Sequence, residues 1–196
     1  MKDIFMLKKN LWFVFFIGIF AISMKNKTVN NYLYAPWRND YGTNTNSNGE
    51  CYFCYCVKNQ GSQNFDSENF ILKRYDHCFV IMNLYPYNKG HIMVIPYCHE
   101  SQIYNLNLEQ QKELIEVVAE STRILQDYLK VDGINVGINF GKVSGASIPN
   151  HLHVHLVPRF NGDTGFMEII FDTRVIGAPI KSIYEILYKG FNSING

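Results

Sequence analysis

The residues best suited to chemistry lie at 150–159, which read Asn-His-Leu-His-Val-His-Leu-Val-Pro-Arg. His151, His153 and His155 recur at every second position, with Leu152, Val154 and Leu156 between and after them. A period of two is that of a β-strand, so the imidazoles share one face and the aliphatic side chains bury the other. Pro158 has no N–H to give a neighbouring strand and is expected to end regular pairing. Imidazoles placed this way can ligate a metal, or act as nucleophile and as acid or base near neutral pH. With six histidines in 196 residues, three on one strand face argue for a site rather than a chance surface.

Two further stretches carry chemistry. Cys51-Tyr-Phe-Cys54 has the spacing with which two thiolates grip one tetrahedral zinc, a spacing that redox pairs share. Cys56 and Cys78 read as packing cysteines. The loop Gly141-Lys-Val-Ser-Gly-Ala-Ser-Ile-Pro-Asn150 runs straight into the histidines. Its small residues let backbone N–H groups turn toward an anion, and Asn139, Ser144 and Ser147 add side-chain donors.

His151-Leu-His153-Val-His155-Leu-Val resembles the His-x-His-x-His-x-x motif of the histidine-triad (HIT) superfamily of nucleotide-binding hydrolases and transferases. Ala35-Pro-Trp-Arg38, Asn83 and the Arg159-Phe-Asn-Gly-Asp163 segment are similar to the branch of diadenosine polyphosphate phosphorylases. The resemblance runs from about Tyr32 to the C-terminal helix. It implies that His153 attacks an α-phosphorus to give a nucleotidyl-histidine, that His155 hydrogen-bonds the phosphate and that His151 orients the site. It further implies Asn83 on the ribose, Leu84 at the base, and Asn139, Ser144, Gly145 and Ser147 around the phosphates. In zinc-bearing members a Cys-x-x-Cys pair, a His after an Ile-Pro strand and the first triad His hold a structural zinc. Here those residues are Cys51, Cys54, His99 and His151.

The implied substrate is a dinucleoside polyphosphate. Ser147 stands where many hydrolases of the superfamily carry Gln, which favours inorganic phosphate over water as the second substrate. The alternatives are a phosphoramidate or nucleotidyl hydrolase, and a non-catalytic nucleotide-binding module. Family members pair as homodimers. Lys89 departs from the usual Asn-Pro-Gly-His turn at residues 88–91.

The elements that must position these groups are legible as patterns. The resemblance implies an α+β fold, an antiparallel sheet with one long helix and a C-terminal helix. Residues 57–69 are polar and read as a loop. Residues 70–75, 77–84, 92–96 and 131–140 read as strands, and 168–173 as a last one. Asn107 and Gln110 form a variant capping box. After it, Leu114, Ile115, Val118, Thr122, Leu125 and Leu129 mark a buried helical face, with Glu109, Lys112, Glu113, Glu116 and Glu120 solvated. Pro179 opens a final helix whose apolar face is Ile180, Ile183, Ile186 and Leu187.

Composition bounds the rest. At 47% hydrophobic residues the chain can bury one sizeable core, and a net charge of +1 gives no broad cationic surface for nucleic acid. Lys2, Lys8 and Lys9 precede an apolar run at 11–23, short for a membrane span of about 20 residues. Residues 1–30 therefore read as a signal or signal anchor, and 31–196 as the domain. A functional leader sends the chain into the secretory route and onward to an organelle, and touches membrane only if uncleaved. Without a functional leader the location is cytoplasmic.

Overall fold

The computed structural model describes residues 49–163 and 179–193. The leader at 1–30, the Ala35-Pro-Trp-Arg38 segment and the expected strand at 168–173 lie outside the described residues. No helix among the described residues is long and apolar enough to cross a membrane.

Among the described residues five strands form one antiparallel sheet in the order β1-β2-β3-β5-β4. They are β1 (Ile71–Arg74), β2 (Cys78–Met82), β3 (Ile92–Pro96), β4 (Gly133–Ile138) and β5 (Val154–Arg159). The last described strand is thus inserted between β3 and β4, which places His155 mid-sheet. Alternation sorts each strand between two cores. Leu72, Val80, Val94, Val154 and Leu156 face one core, with Leu114, Leu125, Leu187 and Phe191 from the two long helices. Phe79, Ile81, Met93 and Ile95 face the other, closed by Phe53 and Cys56.

Residues 57–69 are only partly a loop. A short helix, α1 (Tyr52–Lys58), ends at the start of this stretch, and a second, α2 (Gln63–Glu68), fills its later half. Ser62 accepts from the Phe65 N–H to start α2, and Arg74 binds Asp66 at 2.7 Å to hold it against β1. Neither helix is long enough to show an apolar period, so polar composition reads as loop.

The capping box forms as expected and opens α3 (Leu108–Leu129), whose chain leaves through Lys130 at φ 53°. Its buried face is Leu114, Val117, Ser121, Ile124, Leu125 and Leu129, while Ile115 is 60% exposed. The face is rotated from the expected one because Val117 and Ile124 belong to it. Glu113 and Glu120 are not merely solvated. Glu113 accepts from the backbone N–H groups of Asp76 and His77, fastening the β1–β2 turn, and Glu120 pairs with Lys73 at 3.1 Å. Pro179 precedes α4 (Ile180–Asn192), which buries Ile183, Tyr184, Leu187 and Phe191 but leaves Ile186 41% exposed.

Pro158 does not end pairing. It stands opposite Ile134, and β5 runs on to Arg159. Its carbonyl points the other way, accepting from Asn88 Nδ2 at 2.9 Å. The missing N–H lies on that same side, beyond the last β3 pair at Leu156, so no ladder bond is lost. Asn88 Nδ2 also reaches Asp163, which pairs with Arg159 at 2.8 Å, so the Arg159–Asp163 segment is anchored to the turn before β3.

Candidate active site and metal centre

Strand β5 begins at Val154, so His151 and His153 occupy the extended approach to it. Each imidazole is fixed through one nitrogen. His151 Nε2 lies 2.9 Å from the Pro96 carbonyl oxygen, and His153 Nδ1 lies 2.8 Å from the carbonyl of His151. A carbonyl can only accept, so His151 carries its proton on Nε2 and His153 on Nδ1. That leaves His151 Nδ1 and His153 Nε2 as lone pairs.

His155 is set by a residue that the sequence reading passed over. His91, wholly buried, takes the Tyr87 N–H on Nδ1 at 3.1 Å and so donates from Nε2 to His155 Nδ1 at 3.0 Å. His155 then holds its own proton on Nε2. The His153 and His155 rings stand edge to face, 4.8 Å between centroids. One therefore offers a lone pair and its neighbour a proton. Burial pushes the pKa of His155 down to about 4 and lowers that of His153 as well, so both are neutral at physiological pH.

The first histidine faces a different set of partners. Cys51 precedes α1, Cys54 lies in its first turn, and His99 follows β3. One donor atom from each of Cys51, Cys54, His99 and His151 lies within 4.8 Å of all the others. His151 Nδ1 is 3.5 Å from Cys51 Sγ and 3.6 Å from Cys54 Sγ, and Cys54 Sγ is 3.1 Å from His99 Nδ1. Tetrahedral zinc with sulfur at about 2.3 Å and nitrogen at about 2.0 Å has donor–donor edges of about 3.3–3.8 Å. The donor set therefore fits a metal ion of that kind. Burial and then the Cys51 thiol push the Cys54 pKa up to about 11, a cost that coordination reverses. Phe53 joins the two ends, its ring 5.3 Å from His151 and 5.4 Å from His153.

A cavity of about 420 Å³ opens on His153 and His155. Its walls are Tyr52 and Phe53 of α1, the segment after β2, and the loop between β4 and β5. The size and mixed lining suit a small-molecule ligand.

The HIT domain family matches residues 64–162, half of the chain. The chain belongs to this family. The AP-4-A phosphorylase of Mycobacterium tuberculosis is 36% identical over 122 residues, 62% of this chain and 63% of that protein. The chain thus spans less than two thirds of that relative. Protein hit of Bacillus subtilis is 30% identical over 91 residues, 46% of this chain and 62% of its own length. A Zn-bound histidine triad family protein from Mycobacterium smegmatis shares the fold, with a TM-score of 0.59 at 24% identity over 74% of this chain and 95% of that one.

Of the residues expected around a ligand of this HIT domain, Asn83, Leu84, Gly145 and Ser147 line the cavity, and Asn139 and Ser144 do not. Ser144 Oγ sits 2.9 Å from the Phe140 carbonyl and 2.7 Å from that of Gly141, so its hydroxyl braces the loop. Asn83 serves two ends, accepting from the Tyr85 N–H at 2.9 Å within its turn while lining the cavity. All four expected metal ligands come together. His91 is assigned by parity once the sheet register is known. It lies two residues before Met93, which pairs with His155, and so shares the triad's face.

Proposed function

We propose that the chain cleaves the α-phosphate linkage of dinucleoside polyphosphates through a nucleotidyl-histidine on His153, and passes the nucleotide to inorganic phosphate. The observation that carries this reading is the pair of opposite tautomers on adjacent rings. His153 Nε2 is a bare nucleophile held by the His151 carbonyl, and His155 presents a proton toward the same cavity. Attack by Nε2 forms a P–N bond and breaks the bond from phosphorus to the bridging oxygen, releasing a nucleoside polyphosphate. His155 hydrogen-bonds a phosphate oxygen as charge gathers on it. An oxygen of inorganic phosphate then attacks the same phosphorus, breaks the P–N bond and frees His153. Asn83 and Leu84 hold ribose and base, while Gly145 and Ser147 face the phosphates.

The Cys51, Cys54, His99 and His151 cluster holds a structural zinc in this reading. Its contribution is rigidity, since His151 as a ligand takes no part in proton transfer. The relative named as an AP-4-A phosphorylase agrees with the substrate class. A second copy pairs with the chain as a homodimer, and residues 1–30 act as a targeting leader.

The test is to follow products from diadenosine tetraphosphate with and without inorganic phosphate, with His153→Ala as control. ADP plus ATP formed only in the presence of phosphate is the expected result, with no product from the variant. Phosphate-independent release of AMP or ADP would make the protein a hydrolase. Nucleotide binding without turnover would leave only a binding module.

A further inference from the structure

The cavity contains one formal charge, and its position is informative. Lys142 begins a 3-10 turn, Lys142–Ser144, in the loop between β4 and β5. Gly141 and Gly145 flank the turn at φ 79° and 95°, backbone that side chains rarely adopt. The Gly145 N–H donates to the Lys142 carbonyl at 3.1 Å, and Ser144 ties the turn to Phe140 and Gly141. The lysine thus stands exposed on a braced platform. It lines the cavity, and among the described residues no other Lys or Arg and no Asp or Glu does so. Among the described residues it has no ion-pair partner.

A cavity of about 420 Å³ lies near the small end of ligand sites, which span about 300–1,000 Å³. It has room for one nucleoside and its first phosphate beside His153. Later phosphates must lie toward solvent, where the exposed lining is aliphatic and aromatic at Leu84, Tyr85 and Tyr87 and polar at Lys142, Gly145 and Ser147, and phosphate oxygens suit the second group. Each of them adds negative charge, and the wall offers one cation to meet it. We infer that Lys142 reads the length of the phosphate chain, its ammonium pairing with a phosphate beyond the scissile one. This selection rests on the nucleotide reading above, and it favours nucleotides with two or more phosphates over a monophosphate.

The experiment compares affinities of the full chain and its variants for AMP and for the α,β-methylene analogues of ADP and ATP, whose first bridge resists cleavage. Lys142→Gln is expected to weaken the ATP analogue about five- to tenfold, with AMP held within about twofold. Lys142→Arg should keep the wild-type gap between ATP analogue and AMP, and raised salt should narrow it in both. Two results overturn the inference: a gap unchanged in Lys142→Gln, or an equal loss for AMP and the ATP analogue. If the wild-type chain binds none of the three, the nucleotide reading itself fails and the inference with it.

Discussion

At one end of the histidine run, His151 gives its Nε2 proton to the Pro96 carbonyl and turns a bare Nδ1 toward Cys51 and Cys54. Two residues on, His153 gives its Nδ1 proton to the His151 carbonyl and turns a bare Nε2 toward the cavity. The side chain is the same and the burial nearly so, at 1% and 3% exposure. What differs is which nitrogen a backbone carbonyl claims. An imidazole has one proton when neutral, so the partner of one nitrogen settles what the other can do. Tautomer control by carbonyls thus leaves a bare nitrogen facing two thiols at one end and a bare nitrogen facing the cavity at the other.

If the ends are as distinct as this geometry makes them, removing the metal should cost folding more than it costs chemistry. Cys54→Ala is expected to take bound metal from about one ion per chain to nearly none and to lower the unfolding midpoint by about 10 °C. A strong chelator should produce the same drop in the wild type and none in the variant. His155→Ala should keep both the metal and the response to chelator. Equal metal loss in Cys54→Ala and His155→Ala would end the distinction.

The next effect isolates the cavity end. His91→Gln removes the donor that holds the His155 tautomer, and turnover should fall about 10- to 100-fold, by analogy with losses of such supporting partners at metal sites. Metal content should not change. The same substitution carries a signature in pH. Burial, followed by the charges of His155 and His153, pushes the folded pKa of His91 down to about 3, against about 6.5 unfolded. Below the unfolded value the unfolded chain binds the extra proton, so stability falls as pH drops from about 6.5 toward 3. At pH 5 the loss from this one group is about 2 kcal/mol. Urea midpoints measured from pH 7 to pH 5 should therefore decline less steeply in His91→Gln than in the wild type. Parallel slopes would mean that His91 is not the group responsible.

Much of this arrangement could be read from the chain, for reasons that differ by element. The alternation at 151–156 is local, and both faces follow from it. The four expected metal ligands are spread over 100 residues, yet each sits beside a recognisable feature: the Cys pair, the end of an Ile-Pro strand, the first triad position. His91 was missed because its partner is fixed by register, with Met93 opposite His155, and register is a property of the folded sheet. The resemblance implies Asn139 and Ser144 around the phosphates, and neither lines the cavity; for Ser144, loop composition cannot say where its hydroxyl turns. The rotation of α3 has a similar cause. Ile115 and Val117 are both apolar, and only packing against α4 and the sheet selects between them.

Phe53 supplies the finest test, because it is the side chain that touches both ends. It lies between Cys51 and Cys54 in sequence, packs edge-on against His151 at 5.3 Å and tilted on His153 at 5.4 Å, and lines the cavity. The metal hook and the cavity wall are therefore one short segment. Phe53→Leu keeps the apolar volume roughly but removes the aromatic contacts, at a cost of about 1 kcal/mol. If the ring transmits position from the hook to the nucleophile, the variant should hold metal less tightly and also turn over about three- to fivefold more slowly, a small barrier change. If the carbonyl bonds alone set each imidazole, metal release by a graded chelator will shift while kcat stays at the wild-type value. The second outcome would make the two ends neighbours in one segment and nothing more.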